Sequence, residues 1–399
     1  MTNFMTRAFS SLRTASFVAL AVLLAVGFYV FAVQAATLTV CPIGCGFTSI
    51  QAAINAASNG DTINVGPATY VEQLVITKKL NLLGAGSATT IIDAPGVLAT
   101  ETDGDGTSIV EISGAIAKVT MSGFTVQGPL GAITSAIHVH GNADVKIQNN
   151  KVIGTDALTG TLQGYGIDIG STFVDDDTPA KALITDNELS GFHRAGIAVL
   201  GTGNKADVKN NTLTGGGATA LTTQQGITSQ EAAAGDVLNN TVRNMEFTGA
   251  APQTAVGVFL WDAAKSIDVE TNTLEDLQTG VMVQATEKVD IVGNHITDLA
   301  GGAVADFGIW VLGRGAASTN CAGGDGVTPG LGCATDVKID GNTITGDGTG
   351  TGVFIGKTPE LPFTPAMTTA KVKSNTISGW TYGLIVGPAG TVNASGSVL

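Results

Sequence analysis

Two short phrases recur along the chain, and their recurrence limits the fold more than any other feature. From residue 137 onward the first phrase reads glycine, aliphatic, any residue, aliphatic. It stands at Gly166-Ile167-Asp168-Ile169, Gly196-Ile197-Ala198-Val199, Gly280-Val281-Met282-Val283, Gly308-Ile309-Trp310-Val311, Gly352-Val353-Phe354-Ile355 and Gly383-Leu384-Ile385-Val386. Variants occur at Ile137-His138-Val139, Gly226-Ile227 and Gly257-Val258-Phe259-Leu260. The second phrase begins with Asn and continues any, aliphatic, any, then Gly, Asp or Asn. Its Asn residues are Asn150, Asn187, Asn211, Asn240, Asn272, Asn294, Asn342 and Asn375. Successive Asn lie from 22 residues (Asn272 to Asn294) to 48 residues (Asn294 to Asn342) apart. Such self-similarity marks a repeat architecture, in which the short gaps are bare units and the long ones carry inserted loops.

Alternation of apolar with other residues predicts short strands with one buried face. Three strands in a unit of ~22 residues form one coil of a solenoid, each strand pairing with its equivalent about 4.8 Å away in the next coil. The expected fold class is all-β: a single-stranded parallel β-helix filled by stacked Ile, Val and Leu. Stacked Asn side chains can bond from coil to coil. Asn is also expected to take left-handed backbone angles at a tight corner, and Gly to supply positive φ at the others. A β-sandwich would instead show paired hairpins and no such period. An open solenoid end needs a cover. Residues 48–58 place Ile50, Ala53, Ile54 and Ala57 at helical spacing, with Thr48 and Gln51 at capping-box spacing and Gly60 as the stop, so an N-terminal capping helix is expected there.

Composition agrees. The 54 Gly and the 13% of charged residues suit a chain made of corners and aliphatic interior, while disordered chains are charge-rich and apolar-poor. The net charge of −14, from 19 basic and 33 acidic residues, opposes binding to phosphate backbones and excludes nucleic acid as a partner. Arg194, Arg243 and Arg314 are the only arginines beyond residue 35.

The first 35 residues look like an export signal. Arg7 and Arg13 precede an apolar run from Phe17 to Val33, followed by Val33-Gln34-Ala35. The chain thus divides into a signal peptide over 1–35, which would act as an N-terminal membrane anchor if retained, and one β-helix domain over 36–399. The expected location is extracellular or at the cell surface. Cys41 with Cys45 and Cys321 with Cys333 would close two local loops, which suits an oxidising compartment, although four cysteines allow three pairings.

With these residues in place, a resemblance becomes visible. Ser49-Ile50-Gln51-Ala52-Ala53-Ile54, Gly60-Asp61-Thr62-Ile63-Asn64-Val65, Thr69-Tyr70-Val71-Glu72, Leu80-Asn81-Leu82-Leu83-Gly84 and Thr90-Ile91-Ile92-Asp93 resemble the opening of the pectin lyase-like superfamily. Gly123-Phe124-Thr125-Val126 looks like its next coil, with Phe124 where later coils carry Asn. The resemblance spans residues 37–390 and implies a right-handed parallel β-helix, often exported and often acting on acidic polysaccharides. Its members include lyases, hydrolases, pectin esterases, phage tailspikes and non-enzymatic surface proteins. Their catalytic phrases do not carry over. Ser135-Ala136-Ile137-His138 lacks the esterase Gln, Asn272-Thr273-Leu274-Glu275 is not the hydrolase Asn-Thr-Asp, and no Gly-His-Gly or paired-Arg phrase exists.

The remaining signal lies on outward positions. If the aliphatic residues of each Gly phrase point inward, the middle residue points outward. Coil by coil it is His138, Asp168, Ala198, Thr228, Phe259, Met282, Trp310, Phe354 and Ile385, with Leu200, Trp261 and Leu312 on the next outward position. The apolar half, Phe259, Trp261, Met282, Trp310 and Phe354, forms a stripe that would stack on sugar rings or a partner protein if open. It would be a satellite core if the 294–342 insertion or the Thr358–Thr368 segment folds over it. Asp175, Asp176 and Asp177 offer carboxylate oxygens of the kind calcium prefers, or a solvated acidic loop; Asp103-Gly104-Asp105-Gly106 is a partial calcium-loop pattern. His138 and His140 are expected to face solvent, and His193-Arg194 and His295 to occupy polar turns. The expected partner is a polysaccharide or cell-surface glycan, with a protein partner conceivable at the C-terminal end. Binding or processing of polysaccharide leads. A non-catalytic spacer or adhesin and a diverged calcium-dependent lyase or glycosidase are the alternatives.

Overall fold

In the computed structural model, residues 35–398 are described apart from 102–103, 105, 115–116, 129–132, 156–163, 171–177, 250–252, 299–305, 315–331 and 359–364. Residues 1–34, Cys321 and Asp175, Asp176 and Asp177 therefore lie outside the described residues.

The chain winds as a parallel β-helix, with each coil visiting three sheets in turn. Sheet A has 13 strands, sheet B 11 and sheet C 12. One coil shows the pattern: Asp144–Gln148 lies in sheet A, Lys151–Thr155 in sheet B and Tyr165–Gly170 in sheet C. Each pairs in parallel with its counterparts on both sides, and the register keeps like with like: Ile137 meets Ile167, Ile167 meets Ile197, and Ile197 meets Ile227. The buried aliphatics of all coils join in one continuous core along the axis.

The Asn phrase marks the corner between sheets A and B. Asn150 Nδ2 donates to Asn187 Oδ1 (3.2 Å), Asn187 to Asn211 (2.9 Å), and so on to Asn342 and Asn375 (2.9 Å). The backbone N–H of each Asn from Asn150 to Asn342 also donates to the next Asn's side chain, as from Asn187 to Asn211 at 3.0 Å, and that of Asn375 donates to Ser397 Oγ at 3.3 Å. All eight side chains are buried, and the ladder leaves their amides partnered, as burial demands. Phe124 takes the first rung by donating its backbone N–H to Asn150 Oδ1 at 3.1 Å.

One backbone expectation is corrected. The left-handed residue at this corner is the one before the ladder Asn: Asn149, Asp186, Asn210, Asn239, Thr271, Gly293, Gly341 and Ser374 all have φ between 53° and 66°. The ladder Asn is freed to point its amide inward. Gly does supply positive φ at other corners, as at Gly141, Gly154 and Gly191 (φ 64°, 69° and 68°), but the Gly of the Gly-aliphatic phrase has a different role. It is required by close approach: a Cβ on Gly280 would lie 2.5 Å from Ile296 Cγ2 and 2.6 Å from the Gly308 carbonyl oxygen. Sheets B and C meet there without room for a side chain.

The capping helix spans Ile50–Ala56 and buries Ile50, Ala53 and Ile54. Its N-cap is Ser49 rather than Thr48, with Ser49 Oγ accepting from Ala52 N at 3.2 Å. Glu72 completes the cap by accepting from the backbone N–H groups of Ile50 and Gln51, each at 2.9 Å. A carboxylate on the orphan donors of a helix start is favourable. Cys41 and Cys45 form a disulfide, and Cys333 is also disulfide-bonded.

Candidate functional site

The outward row of sheet C is continuous. Val75 pairs with Glu111, Glu111 with His138, His138 with Asp168, Asp168 with Ala198 and Ala198 with Thr228. The row goes on through Phe259, Met282, Trp310 and Phe354 to Ile385. The expected stripe exists, but it is not an open platform. Trp310 is 2% exposed, Phe354 7% and Met282 8%. With Val256, Phe307 and Leu312 they form a second hydrophobic cluster outside the coil, against which Phe259 packs partly buried. Phe307 and Trp310 have ring centroids 4.6 Å apart, and Phe354 meets both edge-on. Trp310 Nε1 donates to the Gly356 carbonyl at 3.0 Å. The strand Pro365–Ala366 returns to pair antiparallel with Gly313 and Arg314, so part of the Thr358–Thr368 segment does fold back. Trp261, at the flank, is half-buried.

The other half of the row is ionisable and equally buried. His138 and His140 do not face solvent: they are 2% and 6% exposed, and their rings stack at 4.7 Å. His138 Nδ1 donates to Glu101 Oε2 at 2.8 Å and Nε2 to the Gly170 carbonyl at 3.0 Å. His140 Nε2 lies 3.2 Å from Glu111 Oε1, which also accepts from Ser113 Oγ at 3.2 Å. Burial pushes the His138 imidazole down. The Glu101 hydrogen bond and the charges of Asp168 and Glu101 overcome this and raise it to about 10. His138 is therefore an imidazolium at neutral pH, held among Glu101, Glu111 and Asp168. His193 and Arg194 do occupy a bend, between Glu188–Phe192 and Ala195–Leu200, where His193 is buried; His295 is exposed but begins the strand His295–Asp298 rather than lying in a turn. Arg194 is half-buried. Desolvation lowers its guanidinium while Tyr165 acts in the opposite sense, and Nη1 donates to the Thr223 carbonyl at 2.8 Å.

Between the two halves stand uncharged polar groups: Gln230 Nε2 donates to Thr228 Oγ1 at 2.8 Å and to Gln225 Oε1 at 3.3 Å. A further perturbed carboxyl, Asp306, precedes Phe307 at the aromatic end. Burial, then the charges of Asp347 and Glu246, push it up to about 7.

Sequence reading placed His138 and Asp168 in one row but missed Glu101 and Glu111. Glu111 sits in Ser108–Ser113, a strand without the Gly phrase, and Glu101 lies outside any strand. The alternation Ser108-Ile109-Val110-Glu111-Ile112 was the available signal for Glu111. Among the described residues, no group of three or more His, Cys, Asp or Glu side chains is arranged to hold a metal ion.

Comparison with known proteins fits this architecture. No curated protein matches the sequence. Among solved structures, a GH87 α-1,3-glucanase catalytic domain in complex with nigerose is similar over 88% of this chain and 67% of its own, with a TM-score of 0.52 and 13% identity. An Azotobacter vinelandii mannuronan C-5 epimerase A-module (88% and 93% covered, 0.49, 17%) and an alginate lyase from Paenibacillus sp. (91% and 99%, 0.49, 13%) are similar too. At these identities the likeness is one of fold. The family model for the right-handed β-helix region matches residues 135–398, more than half of the chain. The protein is thus a member of the right-handed β-helix family.

Proposed function

We propose that the protein processes polysaccharide outside the cell or at its surface, using the ionisable half of the sheet C face. One observation carries this reading: Glu111, His138 and Asp168 occupy the same register position on three successive coils, buried, with Glu101 holding His138 charged. Burying this many ionisable groups is costly relative to an apolar filling, and perturbed groups of this kind concentrate at working sites. Glu111 and Asp168 are two coil steps apart, about 9.6 Å along the axis. Carboxylate pairs at that distance are common in a β-helix; burial and the shared imidazolium single this one out. The GH87 domain solved with nigerose, which shares the fold, supports a glycan as the partner.

Export is part of the proposal. It is supported by the apolar stretch from Phe17 to Val33 and by the disulfide chemistry of Cys41, Cys45 and Cys333. The second reading, a non-catalytic spacer or adhesin, is favoured by the closed aromatic half, which leaves Met282, Trp310 and Phe354 no free face.

The test is turnover of neutral and acidic polysaccharides by the mature protein, reading reducing ends and unsaturated products. It is run with calcium and with EDTA, since Asp175, Asp176 and Asp177 offer oxygen ligands. Turnover is expected, reduced by about 10²–10⁴-fold in Glu111→Gln or Asp168→Asn, the usual contribution of a positioned acid or base, and reduced also in His138→Gln, which removes the charge between them. A wild-type protein inert on every glycan in both arms overturns the enzymatic reading in favour of the spacer.

A further inference from the structure

Sheet A, on another side of the coil, carries a groove of about 640 Å³ whose lining includes Lys79, Lys118, Lys146, Lys181 and Lys205. The register explains the convergence. Lys118 faces Asp144, Asp144 faces Lys181 and Lys181 faces Lys205 in one outward column, while Lys146 stands in the next column between Thr120 and Leu183. Five of the 19 basic residues of a chain with net charge −14 meet here, with Asp144 and Asp207 as the only lining acids. Lys118 spends its charge on Asp144 (3.5 Å) and Lys205 on Asp207 (3.7 Å). Lys79, Lys146 and Lys181 make no salt bridge with described residues. The basic character is local. Farther along the same sheet Asp268 faces Asp290, and burial with Asp236 and Asp290 pushes its carboxyl up.

Like charges stacked in register repel, so a column of ammonium groups is stabilised by a counter-charge of the same repeat. From Lys79 to Lys205 is four coil steps, about 19 Å, and each step is close to the length of one sugar ring in a linear chain. Thr120 and Leu183 supply a hydroxyl and an apolar patch between the lysines. The groove lining contains no aromatic side chain on which a nucleobase would stack.

We propose that this groove binds a linear, carboxylate-bearing polysaccharide laid along the solenoid axis, its carboxylates meeting the ammonium groups of successive coils. The proposal takes from the previous section only that the partner is a polysaccharide; the groove is on a different sheet from the His138 cluster.

Native electrophoresis through gels containing polygalacturonate tests it. Retardation of the mature protein is expected, with none in gels containing a neutral glucan. Lys146→Glu with Lys181→Glu should weaken the apparent affinity at least roughly tenfold, the scale of one charge-assisted hydrogen bond. The same charge change at the far end of the sheet, Lys338→Glu with Lys371→Glu, should leave it unchanged. If the charge reversal unfolds the protein by circular dichroism, Lys146→Gln with Lys181→Gln replaces it. Absence of retardation, equal loss in both double variants, or equal retardation by single-stranded DNA overturns the proposal. His138→Gln should keep full retardation, so a failed turnover assay and a failed binding assay are told apart.

Discussion

The two halves of the sheet C outer face solve one problem in opposite ways. Both present the same register row, and both are buried. Toward the C-terminus the row is Met282, Trp310 and Phe354, packed with Phe307 and Leu312; each large apolar side chain so buried contributes about 1.5–3 kcal/mol. Toward the N-terminus it is Glu111, His138 and Asp168, where burial costs solvation that ion pairs and hydrogen bonds only offset. Thr228 with Gln225 and Gln230 separates the two. The fold accepts either filling, because inward aliphatics and corners hold the coil regardless. A fold indifferent to the choice leaves the aromatic half explained by stability and the ionisable half in need of a chemical reason.

Three experiments would break or sharpen this contrast. Trp310→Ala should cost about 3–5 kcal/mol, as for a large aromatic lost from a core. That loss would be seen as a lower thermal midpoint, with glycan retention unchanged for the folded protein. Retention lost without destabilisation would restore the stripe as a binding surface. The ionisable half should instead reveal itself in alkali. His138 is raised in the fold from 6.5 to about 10, so its stabilisation is complete below pH 6.5 and disappears as pH rises through 10. The stability difference between wild type and His138→Gln should therefore shrink across that window, and a difference constant from pH 6 to 10 would refute the charged state. The smallest effect belongs to Asp306 at the aromatic end. Its carboxyl is raised from 3.8 to about 7, so the unfolded chain releases that proton first, and stability falls as pH climbs from 3.8 to 7. Asp306→Asn should stabilise at neutral pH and do nothing near pH 4. Denaturant titration at both pH values decides it.

Much of the solenoid was legible because its causes repeat. The Asn rungs, the paired sheets and the order of the outward row follow from spacing alone. What spacing did not convey was dihedral detail: Asn149 and its equivalents carry the left-handed turn, one residue ahead of the amide that the motif advertises. The burial of His138 and His140 was also hidden, since an outward position on an isolated coil looks solvent-facing until the structure outside it is known. Glu101 was invisible for the same reason. It reaches His138 from a non-repeating segment 37 residues earlier, and no period announces it.

The Asn column has a consequence for how such a chain can be edited. Every rung between two Asn is made by the same two donors to the same acceptor, whether 22 or 48 residues intervene. A coil removed or grafted between rungs would keep the column in register, Asn150 meeting Asn211 through the same donors that now meet Asn187. Loops between rungs can lengthen freely, because the column measures the molecule in coils and takes no account of residues.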